Sequence, residues 1–239
     1  MSAWSGRRPG AADVLTLGNA LCGVTAVLVV SGLGPIDPST PLERYRLAAL
    51  LLLAGTLLDV LDGAVARRWG GTALGAPLDC LADAITFGVA PVVAVVALAG
   101  PVTSPAGRIA LTAGALCFVV AALIRLADFA ANRRDLSDFV GLPTTSACIG
   151  AVALGFLQLP PVLLALGLVG LGVLMVSPLT YPAGRRVVGV LVVGWAVGLV
   201  AIVGLVDVRG PAVLTLLIIA VVVPVGSRLR ARIVASAAP

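Results

Sequence analysis

Histidine is absent from this 239-residue sequence. Its absence excludes Ser-His and Cys-His nucleophile pairs, histidine-ligated zinc and any phosphohistidine intermediate. The cysteines are few and scattered, and none forms a Cys-x-x-Cys pair; they are Cys22, Cys80, Cys117 and Cys148. We expect them to be small buried apolar side chains. Acid-base chemistry at neutral pH therefore falls to carboxylates, a thiol, tyrosine or water.

Charge is also scarce. Only 11% of the residues are charged, whereas a soluble domain of this size carries about 25%. Hydrophobic residues make up 60% of the chain, and its mean hydropathy is +1.14. Apolar runs of about 20 residues recur along the whole length, which is the length that spans a bilayer as a helix. The sequence therefore predicts an all-α, polytopic membrane protein.

The apolar runs predict eight transmembrane spans. Two of them are separated only by Pro160-Pro161, where proline stops the helical hydrogen-bond ladder and favours a tight turn. The predicted spans are residues 14–33, 46–66, 76–99, 107–129, 143–159, 161–177, 186–206 and 210–227.

The distribution of arginine predicts the orientation. All 16 basic residues are arginine. With the N-terminus inside, twelve of them fall on the inner side and four on the outer side, as the positive-inside rule requires. Both termini are then cytoplasmic, and so is the loop that follows Arg67 and Arg68. The four outer arginines are Arg44, Arg46, Arg108 and Arg209.

The chain divides most simply into one integral-membrane domain and two tails. Residues 1–12 are expected to form a flexible leader, residues 13–227 the membrane domain, and residues 228–239 a basic tail. The net charge of +5 fits contact with anionic lipid headgroups. It gives no independent case for a nucleic-acid partner.

Four of the eleven acidic residues fall within positions 59–83. A carboxylate at membrane depth is unfavourable by roughly 2.5–3.5 kcal/mol on insertion scales, so a cluster needs a function. The pattern is Asp59-x-x-Asp62-Gly63-x-x-Ala66-Arg67, seven residues, then Gly75-x-x-x-Asp79-x-x-x-Asp83.

The spacing of these aspartates brings them together on facing helices. Separations of three and four residues place each pair on one helix face. A predicted loop of about eight to ten residues joins spans two and three, which are therefore antiparallel neighbours. Carboxylates without nearby histidine or cysteine suit Mg²⁺ or Mn²⁺. Two such ions about 3.5–4 Å apart can clamp the attacking and leaving oxygens of phosphoryl transfer.

Small residues around the aspartates fit the same chemistry. Gly63 leaves room for a phosphate, and Arg67 lies one turn further along, where a guanidinium can bind it. Two alternatives use the same acids: a cation or proton transporter, and structural ion pairs with Arg67 and Arg68. A transporter would place acids on further helices, and spans five to eight have none within their apolar stretches.

The whole pattern resembles the signature of the CDP-alcohol phosphotransferase family, and every fixed position is met. The resemblance implies six core helices, a homodimer, and transfer of a substituted phosphoryl group from a CDP-linked donor to an alcohol, with release of CMP. Three further stretches are similar to the membrane-integral CDP-diacylglycerol–serine phosphatidyltransferase branch, in which two helices follow the six-helix core. They are residues 15–23, residues 86–91 after the last aspartate, and residues 125–129 with 139–144.

The resemblance also implies roles for individual residues. Asp59, Asp62 and Asp79 would bind Mg²⁺ or Mn²⁺, and Asp83 would contact the metal and act as general base. The residues that would line the pocket for the CDP-lipid are Gly63, Arg67 and Gly75. Arg125 would bind the acceptor's carboxylate, with a snorkelling side chain at a helix end as the alternative. Asn19 would help form the nucleotide pocket or make an interhelical hydrogen bond.

The expected reaction is transfer of a phosphatidyl group from CDP-diacylglycerol to L-serine at the cytoplasmic face of the inner membrane, giving phosphatidylserine and CMP. One position departs from the branch: relatives read Arg-Leu-Ala-Arg-Phe, and here Asp128 replaces the second arginine. Glycerol 3-phosphate, inositol phosphate and other small alcohols therefore stay open as acceptors.

Overall fold

A computed structural model describes residues 9–131, 138–182, 212, 215 and 216. Within these residues the chain is almost entirely helical, as the sequence predicts. Four helices are long and apolar enough to cross a membrane: Ala11–Val30, Pro41–Trp69, Gly75–Ala99 and Pro105–Ala131. Two shorter apolar helices follow, Thr144–Phe156 and Pro161–Val176. The chain is thus a multi-pass helical membrane protein.

The first two helices, α1 (Ala11–Val30) and α2 (Pro41–Trp69), have defined starts. At α2, Thr40 and Glu43 form a reciprocal capping box, in which the Thr40 hydroxyl accepts from the Glu43 N–H at 3.2 Å. The Glu43 carboxylate accepts the Thr40 N–H at 3.1 Å. Two otherwise unpaired donors are satisfied, and Pro41 begins the helix where no N–H is needed.

The third span is not a uniform α-helix. It consists of α3 (Gly75–Asp83), a π-helical segment (Ala84–Val89) and α4 (Ala90–Ala99). Pro91 has no N–H and would crowd the carbonyl four residues back, so the ladder has to change register nearby. The Ala90 N–H accordingly bonds to the carbonyl of Ile85, five residues back. This wider turn begins directly after Asp83.

The remaining helices are α5 (Pro105–Ala131), α6 (Thr144–Phe156) and α7 (Pro161–Val176). The predicted break at Pro160-Pro161 is confirmed: α6 ends at Phe156, and Gln158 has a left-handed φ of 49° before α7 begins. A short two-stranded sheet is the exception to the all-α prediction among the described residues. Its strands, β1 (Asp138–Val140) and β2 (Thr180–Pro182), pair antiparallel.

The helices pack around a core of aromatic and small side chains. Phe87 and Phe118 are 0% exposed. The Tyr45 hydroxyl donates to the Val152 carbonyl at 2.8 Å, which ties α2 to α6. Large apolar side chains cover the outside, as a surface in contact with lipid requires. On α1 they are Val14, Leu17, Leu21, Val24 and Leu28.

The loop after α2 and the last two predicted spans differ in how far the structure describes them. The loop between spans two and three is shorter than the predicted eight to ten residues, because α2 extends to Trp69 and α3 begins at Gly75, leaving residues 70–74. The predicted spans 186–206 and 210–227 lie outside the described residues, except for helical residues 212, 215 and 216. The count of eight, the orientation, the division into domain and tails, and the homodimer stay predictions.

Candidate active site

Three of the four motif aspartates come together at the α2–α3 end of the bundle. One carboxylate oxygen from each of Asp59, Asp79 and Asp83 lies within 4.8 Å of the others. Asp59 is on α2, whereas Asp79 and Asp83 are on α3, so the cluster forms between neighbouring helices as the spacing predicts. Three carboxylates this close repel one another, and a bound divalent cation would offset that repulsion.

Asp62 is not part of this group of three. Three residues of α-helix rotate a side chain by about 300°, so Asp62 is offset by about 60° from Asp59. Its carboxylate lies 2.6 Å from the Thr16 hydroxyl of α1, and the residue is only 6% exposed. The sequence expectation of four converging carboxylates is thus met geometrically by three, with the fourth turned towards α1.

A stripe of three polar side chains on α1 faces the site. Asp13, Thr16 and Asn19 are 1%, 3% and 0% exposed, and their three-residue spacing places them on one helix face. We call this set the α1 polar stripe. Thr16 contacts Asp62, and the Asn19 amide donates to the Asp83 carboxylate at 3.1 Å. The first helix therefore contacts one aspartate of each motif pair.

Asp13 connects the start of α1 to the loop at residues 70–74. Its carboxylate accepts the Gly10 N–H and the Thr72 hydroxyl, each at 2.8 Å. The Thr72 oxygen in turn accepts the N–H of Gly75 at 3.0 Å. This chain of hydrogen bonds fixes the loop between the two aspartate pairs, and with it the position at which α3 begins.

Gly63 and Arg67 lie next to each other on α2. A Cβ placed on Gly63 would be 3.2 Å from Nη1 of Arg67, so the guanidinium folds back one turn towards the glycine. Arg67 is exposed. Gly75, the third residue predicted for the CDP-lipid pocket, has little free space, because a Cβ there would lie 3.3 Å from Oδ1 of Asp13.

Arg125 is buried on α5, with 8% exposure, and its Nε has no hydrogen-bond partner among the described residues. The next residue, Leu126, presents its carbonyl 4.0 Å from Sγ of Cys80, which follows Asp79 on α3. On its other side, Arg125 approaches the turn at Gly141, where a Cβ would lie 3.4 Å from Nε. Neighbouring parts of the protein therefore enclose the Arg125 side chain. Arg125 lies on α5, which is adjacent to the α3 helix of the aspartate cluster.

The donor set at the cluster suits a hard divalent cation. All three grouped side chains offer carboxylate oxygen, which Mg²⁺ and Mn²⁺ prefer over nitrogen or sulfur. Mg²⁺ needs only one or two carboxylates and takes its other ligands from water and substrate phosphates. The three carboxylates therefore fit this type of ion, and the ion itself stays a prediction.

The sequence did not predict three residues that contribute to the site. They are Asp13, Thr16 and Thr72, of which Thr16 lies within a stretch that carries the resemblance. The available signal was the three-residue spacing of Asp13, Thr16 and Asn19 on an otherwise apolar helix. Thr72 had no such signal, because its role depends on where the loop folds.

The profile of the CDP-alcohol phosphatidyltransferase family matches residues 10–178. This range includes every helix described above and all four motif aspartates.

Several named relatives align with the chain. The CDP-diacylglycerol–serine O-phosphatidyltransferase of Bacillus subtilis (strain 168) is 32% identical over 144 residues, which are 60% of this chain and 73% of that protein. The enzyme of the same name from Mycobacterium leprae (strain TN) is 35% identical over 140 residues, 55% of this chain and 44% of its own. The archaetidylserine synthase of Methanothermobacter thermautotrophicus is 31% identical over 140 residues, 57% of this chain and 54% of its own. This chain belongs to the CDP-alcohol phosphatidyltransferase family and is a transferase of that class.

Proposed function

We propose that this protein transfers the phosphatidyl group of CDP-diacylglycerol to the hydroxyl of L-serine at the cytoplasmic face of the inner membrane, with Mg²⁺ or Mn²⁺ as cofactor. The observation that carries the proposal is the grouping of Asp59, Asp79 and Asp83 within 4.8 Å between two apolar helices. Support for serine comes from the relatives, since two are named for transfer to serine and the third for the synthesis of archaetidylserine.

The protein's own residues would divide the work as follows. Asp83 accepts the proton of the serine hydroxyl while that oxygen forms a bond to the phosphorus that carries the diacylglycerol. The bond from this phosphorus to the bridging pyrophosphate oxygen breaks, and CMP leaves. Asp59, Asp62, Asp79 and Asp83 would hold two cations, which when bound supply charge neutralisation at the pyrophosphate.

Arginines would bind the anionic parts of the two substrates. Arg67 is exposed beside Gly63, where a guanidinium can bind the departing CMP phosphate. Arg125 would bind the carboxylate of serine, since its Nε has no hydrogen-bond partner in the part of the chain that the structure describes. The acyl chains remain in the bilayer beside the apolar outer faces of the helices.

The deciding experiment is an acceptor panel with the purified full-length chain in nanodiscs that contain CDP-diacylglycerol. CMP release is expected with L-serine and not with glycerol 3-phosphate, inositol phosphate or ethanolamine. EDTA should abolish release, and Mg²⁺ or Mn²⁺ should restore it. Release with another alcohol alone would replace serine as the acceptor, and release in EDTA would contradict the metal site.

The family match favours phosphatidyl transfer over the alternative of a cation or proton transporter, because the family is described as CDP-alcohol phosphatidyltransferase. A flux assay in liposomes provides the direct check. Neither a proton gradient nor a Mg²⁺ gradient should dissipate faster with the protein than without it.

A further inference from the structure

The α1 polar stripe contains one side chain that contacts the proposed catalytic aspartate. Nδ2 of Asn19 lies 3.1 Å from Oδ1 of Asp83. Asn19 is 0% exposed, and the partner of its side-chain N–H is Asp83. Of the two roles expected for Asn19, the interhelical hydrogen bond is the one that this contact favours. An effect of Asn19 on the reaction would then act through Asp83.

The backbone of Asn19 is fixed by the π-helical segment. The Thr86 hydroxyl donates to the Asn19 carbonyl at 2.9 Å. This contact requires α1 and the π-helical segment to approach closely, and Gly23 permits it, because a Cβ there would lie 2.6 Å from the Thr86 oxygen. The same segment follows Asp83 directly. Asn19 and Asp83 are therefore held by one local structure.

The side-chain amide of Asn19 has a defined orientation. Its Oδ1 points towards Gly55 of α2, where a Cβ would be only 2.9 Å away. Turning the amide over would place this oxygen against the Asp83 carboxylate, where two acceptors repel each other. The N–H group therefore faces Asp83.

Packing alone does not account for an asparagine at this position. Its Oδ1 is buried and has no hydrogen-bond partner among the described residues, and a buried unpaired acceptor destabilises a fold. An apolar side chain would avoid that loss. What asparagine provides is an N–H donor to a carboxylate that lies within 4.8 Å of two others.

We infer that Asn19 is a positioning residue for Asp83, holding its carboxylate in the orientation in which it binds the metal and receives the substrate proton. The inference rests on the proposed function. A single N–H donor from α1 limits rotation of the carboxylate and offsets part of the repulsion from Asp59 and Asp79. Because the amide is buried and donates to Asp83, we expect it to act on the catalytic step and on the cation, not on substrate affinity.

The test compares Asn19→Ala and Asn19→Asp with Thr56→Val. Thr56 is similarly buried, and its hydroxyl bonds to the Leu52 carbonyl of its own helix. Loss of a hydrogen bond to a charged group corresponds to a decrease of about 10- to 100-fold. We expect that decrease in kcat for Asn19→Ala, with KM for CDP-diacylglycerol and serine within about threefold. Asn19→Asp keeps the shape of the side chain but adds a carboxylate, so its kcat should decrease further than that of Asn19→Ala. Thr56→Val should match the parent enzyme.

A second measurement does not depend on turnover. Mn²⁺ affinity, from electron paramagnetic resonance of the unbound ion, is measured for Asn19→Ala, Asp83→Asn and the double variant. Groups in direct contact couple by about 2- to 150-fold in an equilibrium constant, so Asn19→Ala should weaken Mn²⁺ binding in the parent and cause little further loss in Asp83→Asn. Additive losses, or a kcat decrease equal to that of Thr56→Val, would overturn the inference. Absence of CMP release from the parent enzyme would overturn the proposed function instead, and the Mn²⁺ coupling would still test Asn19.

Discussion

The four aspartates of the motif differ in their surroundings. Asp62 lies 2.6 Å from the Thr16 hydroxyl, and Asp83 accepts from Asn19 at 3.1 Å. Asp59 and Asp79 complete the group of three with Asp83. Residues that look equivalent in the sequence should therefore respond differently to substitution.

Asp83→Asn should remove turnover while leaving CDP-diacylglycerol binding largely intact. Asparagine has the same shape but cannot accept the substrate proton, and loss of a general base typically lowers the rate by about 10²–10⁴-fold. CMP release measures the first effect, and equilibrium binding of a labelled CDP-lipid in nanodiscs measures the second.

Asp37→Asn is the matched control for this change. Asp37 forms an exposed ion pair with Arg44 at 2.7 Å in the loop between α1 and α2, and such pairs contribute about 0–1 kcal/mol. Its kcat should equal that of the parent enzyme. An Asp83→Asn enzyme that turned over as fast as Asp37→Asn would contradict the general-base role.

Gly63→Ala should separate stability from substrate affinity. The new Cβ meets only the end of the Arg67 side chain, at 3.2 Å, and alanine favours a helix over glycine by about 1 kcal/mol. We expect unchanged or higher thermal stability and a higher KM for CDP-diacylglycerol, because the guanidinium is displaced. Gly170→Ala is the control, since nothing lies within 4 Å of its Cβ. An equal KM in the two variants would argue against a pocket at Gly63.

Single residues show how far the sequence predicts the site. The aspartates could be predicted because helix periodicity brings residues three or four positions apart onto one face. Their hydrogen-bond partners could not, because Thr16 is 46 residues from Asp62 and Asn19 is 64 residues from Asp83. Such contacts depend on how helices pack, which the periodicity of one helix does not determine.

At the scale of helices, α1 has two functions on opposite faces. Its polar stripe contacts the aspartates, and its other face carries exposed apolar side chains that fit lipid. The only sequence expectation for a polar residue of α1 was that Asn19 helps form the nucleotide pocket or makes an interhelical hydrogen bond.

Thr16→Val tests the contact between α1 and Asp62. Removing the hydroxyl leaves Asp62 without this donor, so the concentration of Mg²⁺ for half-maximal activity should rise by about tenfold. Thr16 and Thr56 each place the hydroxyl 3.1 Å from the carbonyl four residues back, so Thr56→Val controls for everything except Asp62. Equal metal dependence of the two variants would contradict a role for Thr16.

Helix boundaries also show where prediction from the sequence ends. The proline pair at 160–161 correctly predicted a break between two helices, because proline disrupts the hydrogen bonds of a helix interior. Pro91 lies inside a predicted span and produces a π-helical segment instead of a break. Which of the two outcomes occurs depends on the packing of the surrounding helices, which hold the third span continuous through residue 99.

At the scale of the whole molecule, the arginine distribution predicts which end of the bundle is cytoplasmic. In a cysteine-free background, Ser39→Cys lies in the loop before α2 and Gly71→Cys lies in the loop after it. A membrane-impermeant maleimide should label Ser39→Cys in intact cells and Gly71→Cys only after permeabilisation. The reverse pattern would place the aspartates on the outer side.

The identity of the acceptor is the least predictable property from the sequence. The reaction class depends on a compact pattern of aspartates and glycines along two helices. The proposed acceptor-binding residue is instead Arg125, a residue of α5 whose side chain approaches the turn at Gly141. Its enclosure could not be inferred from its position near the end of a predicted span.

The two faces of α1 have a further consequence for how the enzyme responds to its membrane. The helix spans the bilayer through Leu17, Leu21 and Leu28 on one side, while Thr16 and Asn19 hold aspartates on the other. A helix whose hydrophobic length differs from the bilayer thickness tilts to compensate. We therefore expect kcat to depend on acyl-chain length in nanodiscs, with an optimum thickness, and the Asn19→Ala enzyme to lose that dependence. Through this helix, bilayer thickness would become a variable that sets the rate of phospholipid synthesis.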